Sequence, residues 1–338
     1  MLAQFCPRPF DRLEISLNGD ALLCHSTWII GNAGNLTEQS LDEVWNSAAA
    51  RTMRESVHDQ SFRFCLRARC PHLATLPEAE RQSDPDLRAI AADRQVTLER
   101  RPSRLVLSYA PSSATRWSSG VDEAMRAADN QRRAVVTDRL IAGLQFWNTP
   151  RSIAVVGPGD PLASPHMLRI LHHLAERERG PLRLDIQTNA QNLSEQTWRL
   201  LSGLERYDLG LEVTLDAVWP WSEDHRRSAV TWEALSGALD LAASLRRNGR
   251  LRRLAISMTV ETASLPQMPT MVELGQTLHC DRVIFSPIAA TAFLPQPAAA
   301  RKIADPSHPD HGALREMLRN PMFSDPIVDL TELSKLRG

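Results

Sequence analysis

After Arg101 the chain alternates short apolar runs with longer amphipathic stretches. The runs "RLVLSY", "SIAVVG", "LRLDIQT", "LGLEVTLD", "LRRLAISMTV" and "DRVIFSPI" read as six strands. Between them, apolar residues recur at helical spacing. This predicts helices over 121–146, from about Ser164, in "SEQTWRLLSGL", from Thr231 to Arg246, and around Met268 to Thr277. Strands alternating with helices predict parallel strands joined by right-handed crossovers. Six such units fall short of the eight that close a barrel. The expected fold class is therefore α/β, a partial (βα)6 TIM-like barrel, with its chemistry at the C-terminal strand ends.

The first hundred residues follow a different rhythm. "FDRLEISLNGDALLC" reads as a hairpin turning at Asn18-Gly19, a favoured turn pair. "SLDEVWNSAAARTMRES" reads as one helix, with Ser40 as N-cap and Glu43 closing a capping box. "PEAERQSDPDLRAIAADRQ" is polar and proline-punctuated, and reads as a linker. The expected division is a small α+β domain over 1–78, a linker over 79–102, and the partial barrel with a C-terminal tail over 103–338.

The chain has 338 residues, 43% of them hydrophobic, and a formal charge of -1. That is ample for a buried core. A near-neutral balance gives no general attraction to nucleic acid or anionic lipid, and neither is expected as a partner. The arginines of "SLRRNGRLRR" read as a solvated helix face. No window approaches the roughly 18 to 20 apolar residues of a membrane span. The opening "MLAQFCPRPFDRLEI" lacks the apolar region of a signal peptide. The expected location is cytoplasmic, where thiols stay reduced. Metal ligands or inert core thiols are then expected in place of disulfides.

Four of the five cysteines lie early. Cys6 precedes the hairpin, Cys24 ends it, and Cys65 and Cys70 flank "LRAR". A hairpin that brings two thiols near a later pair could cage zinc or an iron–sulfur cluster. There is no CxxC, so spacing alone leaves scattered core thiols equally open. Cys280 precedes the last strand, at the opposite end from the expected chemistry, and reads as a buried apolar thiol.

Cys6, "NGDALLC", "IGNAGNLTEQSLDEVWNSAAARTMR" and "FCLRARCPHL" together resemble a SPASM-type auxiliary-cluster domain. The resemblance implies one [4Fe–4S] cluster, held by Cys6, Cys24, Cys65 and Cys70. Many relatives read Cys-Cys where this chain has Cys24-His25, which leaves His25 open between a surface histidine and a spare ligand. The second half resembles a radical S-adenosylmethionine (SAM) domain. "GPGDPLASP" (157–165) resembles its glycine-rich turn, "TNA" (188–190) its third-strand motif, "EVTLDA" (212–217) its fourth-strand segment, and "HPDH" (308–311) a tail seen in relatives. Carried over, a SAM-type site would use Gly157, Gly159, Asp160 and Thr188.

One family feature is missing. The loop after the first strand should carry Cys-x3-Cys-x2-Cys, and those positions fall at Ser113, Trp117 and Gly120. None supplies a thiolate, so the resemblance is to a degenerate member, with no core cluster to cleave SAM and no bound SAM expected. "HRRSAVTW", "VETAS" and "SPIAATAF" also depart from the family's polar positions.

Two main readings follow. In one, the chain is a biosynthetic enzyme using non-radical, cluster-assisted chemistry, such as sulfur transfer to a small-molecule substrate. Asp160, Asn189, Asp216 and Glu261 would then act at the strand ends, beside Thr188, under a wall of Trp117, Trp219 and Trp221. Asp160 and Asn189 equally suit turn and helix capping. In the other, the chain is an inactive partner or scaffold for an active radical SAM enzyme. Structural zinc on the four cysteines is a third reading.

Overall fold

The computed structural model describes residues 4–16, 18–76, 78, 83–108, 123–147, 150–157, 160–177, 182–215, 232–288 and 302–337. The chain divides into two compact units, Met1–Leu184 and Asp185–Gly338. Both are built of parallel strands and helices, the α/β class that the alternation predicts.

The first unit begins with α1 (Arg8–Asp11), β1 (Arg12–Ser16), β2 (Asp20–Leu22), β3 (Gly34–Asn35), α2 (Leu41–Trp45), α3 (Ala48–His58) and α4 (Pro85–Ala92). It continues with β4 (Arg104–Ser108), α5 (Glu123–Phe146), β5 (Ser152–Val155) and α6 (Pro165–Glu176). Its strands lie in the order β5-β4-β1-β2-β3. β4 is parallel to both β5 and β1, and the β1–β2–β3 pairings are antiparallel.

The hairpin turns at the expected place. Gly19 sits at φ +85°, and a Cβ there would meet Val136 at 2.8 Å and the Asn35 Oδ1 at 2.9 Å. Ser16 Oγ accepts the amides of Asn18 and Asp20, which pins the turn.

Three features depart from the sequence pattern. First, β1 pairs in parallel with β4 from Arg12↔Arg104 to Ser16↔Ser108. The hairpin therefore belongs to the same compact unit as β4. Second, the helix expected over "SLDEVWNSAAARTMRES" is two helices. Ser40 and Glu43 form the capping box, but Ser47 caps a second helix by accepting the Ala50 amide. Asn46 meanwhile turns its side chain to Leu98, donating to its carbonyl and accepting its amide. Third, the polar stretch expected as a linker over 79–102 carries a helix of its own. Asp84 caps α4, which buries Leu87 and Ile90.

Arg54 ties that stretch down. Its side chain is fully buried. It donates to Pro9 O, Trp45 O, Val96 O and Asn46 Oδ1 at 2.8–3.1 Å, and it lies 4.3 Å from the Trp45 ring centroid. No carboxylate among the described residues pairs with it, and burial pushes its pKa down to about 9.

The second unit carries β6 (Arg183–Thr188, which starts at the boundary), α7 (Glu195–Leu201), β7 (Asp208–Thr214) and α8 (Trp232–Arg247). After these come β8 (Arg253–Val260), α9 (Met268–Thr277), β9 (Arg282–Pro287), α10 (His311–Leu318) and β10 (Val328–Asp329). The strands follow chain order, β6-β7-β8-β9-β10, with β7 to β10 parallel. Alternate residues of β7 to β9, such as Val213, Ile256 and Phe285, are fully buried. The short β10 lies in the tail, beyond the strands that the alternation predicts. Among the described residues no helix is long and apolar enough to cross a membrane.

Candidate metal centre and strand-end groups

Backbone pairing brings three separate segments to one place. Ile29 and Cys65 form an isolated antiparallel bridge. Ile30 N–H donates to Phe64 O and Leu66 N–H to Trp28 O. Cys70 N–H then bonds Leu66 O, folding that loop back. Cys24 ends the hairpin, and Cys6 lies just before α1. Cys6, Cys24, Cys65 and Cys70 all line one cavity, together with Arg8, Trp28 and apolar side chains that include Met53 and Val57. No Asp, Glu or His among the described residues lines it.

Cys6 and Cys24 are buried, and Cys65 and Cys70 are half-buried. Burial pushes the Cys6 thiol up to about 12, and the backbone N–H of Arg8 opposes this by bonding its sulfur. Burial also raises Cys24, opposed by the His25 backbone N–H. Cys65 is pushed up to about 11, first by burial and then by Cys24 and Cys70. Cys6, Cys24 and Cys65 are thus held protonated chiefly by burial, a cost that a bound cationic centre would offset.

A single tetrahedral zinc, with bonds near 2.3 Å, would draw four sulfurs to within about 3.8 Å of one another. No three His, Cys, Asp or Glu side chains among the described residues come together closely enough to hold one metal ion. The four thiols line one apolar cavity, and Cys6 and Cys24 accept backbone N–H groups there. Residues 6–71 match the SPASM family model, an iron–sulfur cluster-binding domain.

This segment is a SPASM domain.

His25 stands outside the SPASM cavity lining. Its Nδ1 accepts the Thr27 amide at 3.2 Å and lies 2.8 Å from the Thr27 hydroxyl. Its ring packs 4.7 Å from Trp28. Two residues beside the SPASM cysteines escape spacing arguments. Arg8 lies 5.1 Å from the Trp28 ring centroid and bonds His72 Nε2 at 2.7 Å. Their only sequence signal is position: each lies two residues past a cysteine.

The other candidate residues lie at strand ends. Gly157 follows β5 at φ +135°, and a Cβ there would come within 3.2 Å of the Ser108 backbone. Close approach to the end of β4 thus requires glycine, with or without a ligand. Asp160 is fully buried and its carboxylate accepts the Leu162 amide. In the second unit, Thr188 ends β6, its hydroxyl accepting the Ala190 amide and its carbonyl accepting the Thr214 hydroxyl. Asn189 Oδ1 accepts the Gln191 amide. Glu261 follows β8, its amide bonded to Ser264 Oγ. Thr188, Asn189 and Glu261 therefore share the C-terminal strand edge of this unit. Gly159, Asp216, Ser113, Trp117, Gly120, Trp219 and Trp221 lie outside the described residues. Cys280 is buried just before β9, at the other end of that strand, and burial pushes its thiol up to about 12.

No curated protein matches the chain. Among solved structures it is similar to Streptococcus suis SuiB at 14% identity, covering 94% of this chain and 70% of that one, with a TM-score of 0.42. SuiB bound to its precursor peptide SuiA is matched at 14% identity over 81% of this chain and 61% of that one, TM-score 0.37. An archaeal TYW1 is matched at 17% identity over 49% and 53%, TM-score 0.30.

Proposed function

We propose that this chain is a biosynthetic iron–sulfur enzyme that holds one [4Fe–4S] cluster on Cys6, Cys24, Cys65 and Cys70 and works without a radical SAM core cluster. The observation that supports it most is the convergence of those four thiols on one apolar cavity within the SPASM segment. Such a cluster, when bound, supplies one-electron chemistry, and Lewis acidity or sulfur transfer at any iron that lacks a protein ligand. Four cysteines offer one ligand to each iron. The arrangement therefore favours electron transfer over sulfur transfer to a small-molecule substrate, which requires one ligand to be given up.

The absence of a core cluster rests on the sequence. No cysteine lies between Cys70 and Cys280, so the loop after β4 has no thiolate to offer. The candidate SAM contacts have local duties. Gly157 meets a backbone, and Asp160 and Thr188 accept backbone amides. In this reading they are vestigial as SAM ligands, and Thr188, Asn189, Asp216 and Glu261 bind and orient the substrate.

The deciding experiment measures iron, acid-labile sulfide and zinc on protein reconstituted without oxygen. About four irons and four sulfides per chain are expected. Zinc without sulfide overturns the reading. SAM with a strong reductant should give no 5′-deoxyadenosine, and catalytic amounts would refute the loss of the core cluster.

A further inference from the structure

The sheet of the second unit has two unlike faces. Val213, Ile256 and Val283 are cross-strand neighbours and fully buried. α9 packs on that side, where a Cβ on its Gly275 would meet Val283 at 2.2 Å and Ile256 at 3.4 Å. The opposite side carries Gly210, Glu212 and Thr214 of β7, in register with Arg253, Ala255 and Ser257 of β8. β6 adds Asp185, whose Oδ1 stands 2.5 Å from where a Gly210 Cβ would lie. It also adds Gln187, which donates to Glu212 Oε1 at 3.1 Å. A filled barrel core would put large apolar residues on this side. Here the direct cross-strand neighbour of Glu212 is only Ala255.

Glu212 is half-buried, and Gln187 is its one side-chain partner among the described residues. A carboxylate can accept about four hydrogen bonds, so most of its capacity is unfilled and its charge is unneutralised. Arg253, the cation diagonal to it on β8, is committed to Asp185 and Asp208. Ser257 lies on the other diagonal. It is 8% exposed, and its hydroxyl has no partner among the described residues. A strand spacing of about 4.8 Å and a rise of about 3.3 Å per residue place the Glu212 and Ser257 Cα atoms about 8 Å apart. A single ammonium group, with three donors, spans that gap by bonding to both side chains. We propose that this face binds the ammonium group of a small primary amine, with Glu212 Oε2 taking one N–H and Ser257 Oγ another. The inference rests on the reading above that the second unit binds a small-molecule substrate, and gives that substrate a chemical class. It does not depend on what the four cysteines hold.

The probe is n-butylammonium, with n-butanol as its uncharged counterpart, each titrated into the reconstituted full chain and followed by ligand-observed NMR. Hydrogen bonds to charged groups are stronger than neutral ones, so butylammonium should bind at least about tenfold more tightly than butanol. Glu212→Gln keeps the shape and removes the charge, and should weaken butylammonium at least about tenfold. Ser257→Ala should weaken it by about 2- to 10-fold. Glu273→Gln, exposed on α9 across the sheet, should change nothing. Circular dichroism checks that each variant is folded; if Glu212→Gln is not, Ser257→Ala carries the test. Absence of saturable binding to the wild-type chain, equal binding of butanol, or unchanged affinity in either folded variant overturns the site. Iron and sulfide are counted on the same samples. A loaded chain that fails to bind refutes the amine site and leaves the cluster reading standing. Binding by a chain that holds no iron and sulfide supports the site and ends the cluster reading.

Discussion

Replacing Arg54 with methionine keeps an unbranched apolar stem and removes the guanidinium with its charge and every donor. Pro9 O, Trp45 O and Val96 O then lose this donor, whereas Asn46 Oδ1 keeps the Leu98 amide. Hydrogen bonds from a charged donor contribute about 1.5–3 kcal/mol each, but the guanidinium's own desolvation offsets much of that. Breaking buried charged networks from one side costs about 3–5 kcal/mol, and we expect a loss of that size. In a unit of this length, each kcal/mol moves the midpoint by about 2–4 °C, so Tm should fall by about 6–20 °C. Arg54→Lys retains the charge but cannot reach four acceptors at once, and should recover less than half of the loss. Pro9 lies three residues past Cys6, so iron loading should fall with stability. The assay is thermal unfolding followed by circular dichroism, with iron counted on the same samples. A methionine variant within about 1 kcal/mol of wild type would refute the argument, because it would mean those carbonyls are satisfied without Arg54.

Alanine at Cys6, Cys24, Cys65 or Cys70 should each lower iron and sulfide content, whereas Cys280→Ala should leave both unchanged; elemental analysis decides, and unchanged iron in all four would sink the ligand assignment. His58, packed 5.1 Å from Phe10 and donating to Gln95 O, has its pKa held below the ordinary histidine value by burial. The unfolded chain therefore takes up this proton first as pH falls. The contribution to stability is full above about pH 6.5 and is lost as pH drops through the folded-state value. Urea midpoints from pH 8 to 5 should show the decline, and His58→Gln should flatten it. Gly157→Ala forces a side chain into a left-handed conformation against the Ser108 backbone and should cost about 1–3 kcal/mol, read from urea unfolding.

Much of the architecture was legible because strand and helix periodicity are short-range properties. The strands β4 to β9 and the helices between them follow from alternation at two and near four residues, and the capping box at Ser40 and Glu43 is complete within four positions. The four cysteines were legible as a set through resemblance, since spacing alone left them open. The break between Asn46 and Ser47 was not legible. Its cause is a pair of hydrogen bonds to Leu98, 52 residues away, and a residue's local helix preference carries no trace of such a partner.

The same distinction runs through the site. Sequence by itself determined which donor atoms exist: five thiols, none in the loop after β4, and carboxylates and amides at strand ends. Tertiary structure alone decided that four of those thiols share one cavity, that Arg8 and Trp28 wall it, and that Asp160 and Thr188 are already bonded to neighbouring amides. It also decided that β1 runs beside β4 and that the stretch after residue 83 is ordered, because backbone carbonyls such as Pro9 O and Val96 O receive Arg54. Side-chain chemistry is written in the residue types. Backbone acceptors are the same at every residue, so only the fold decides which of them a buried donor meets.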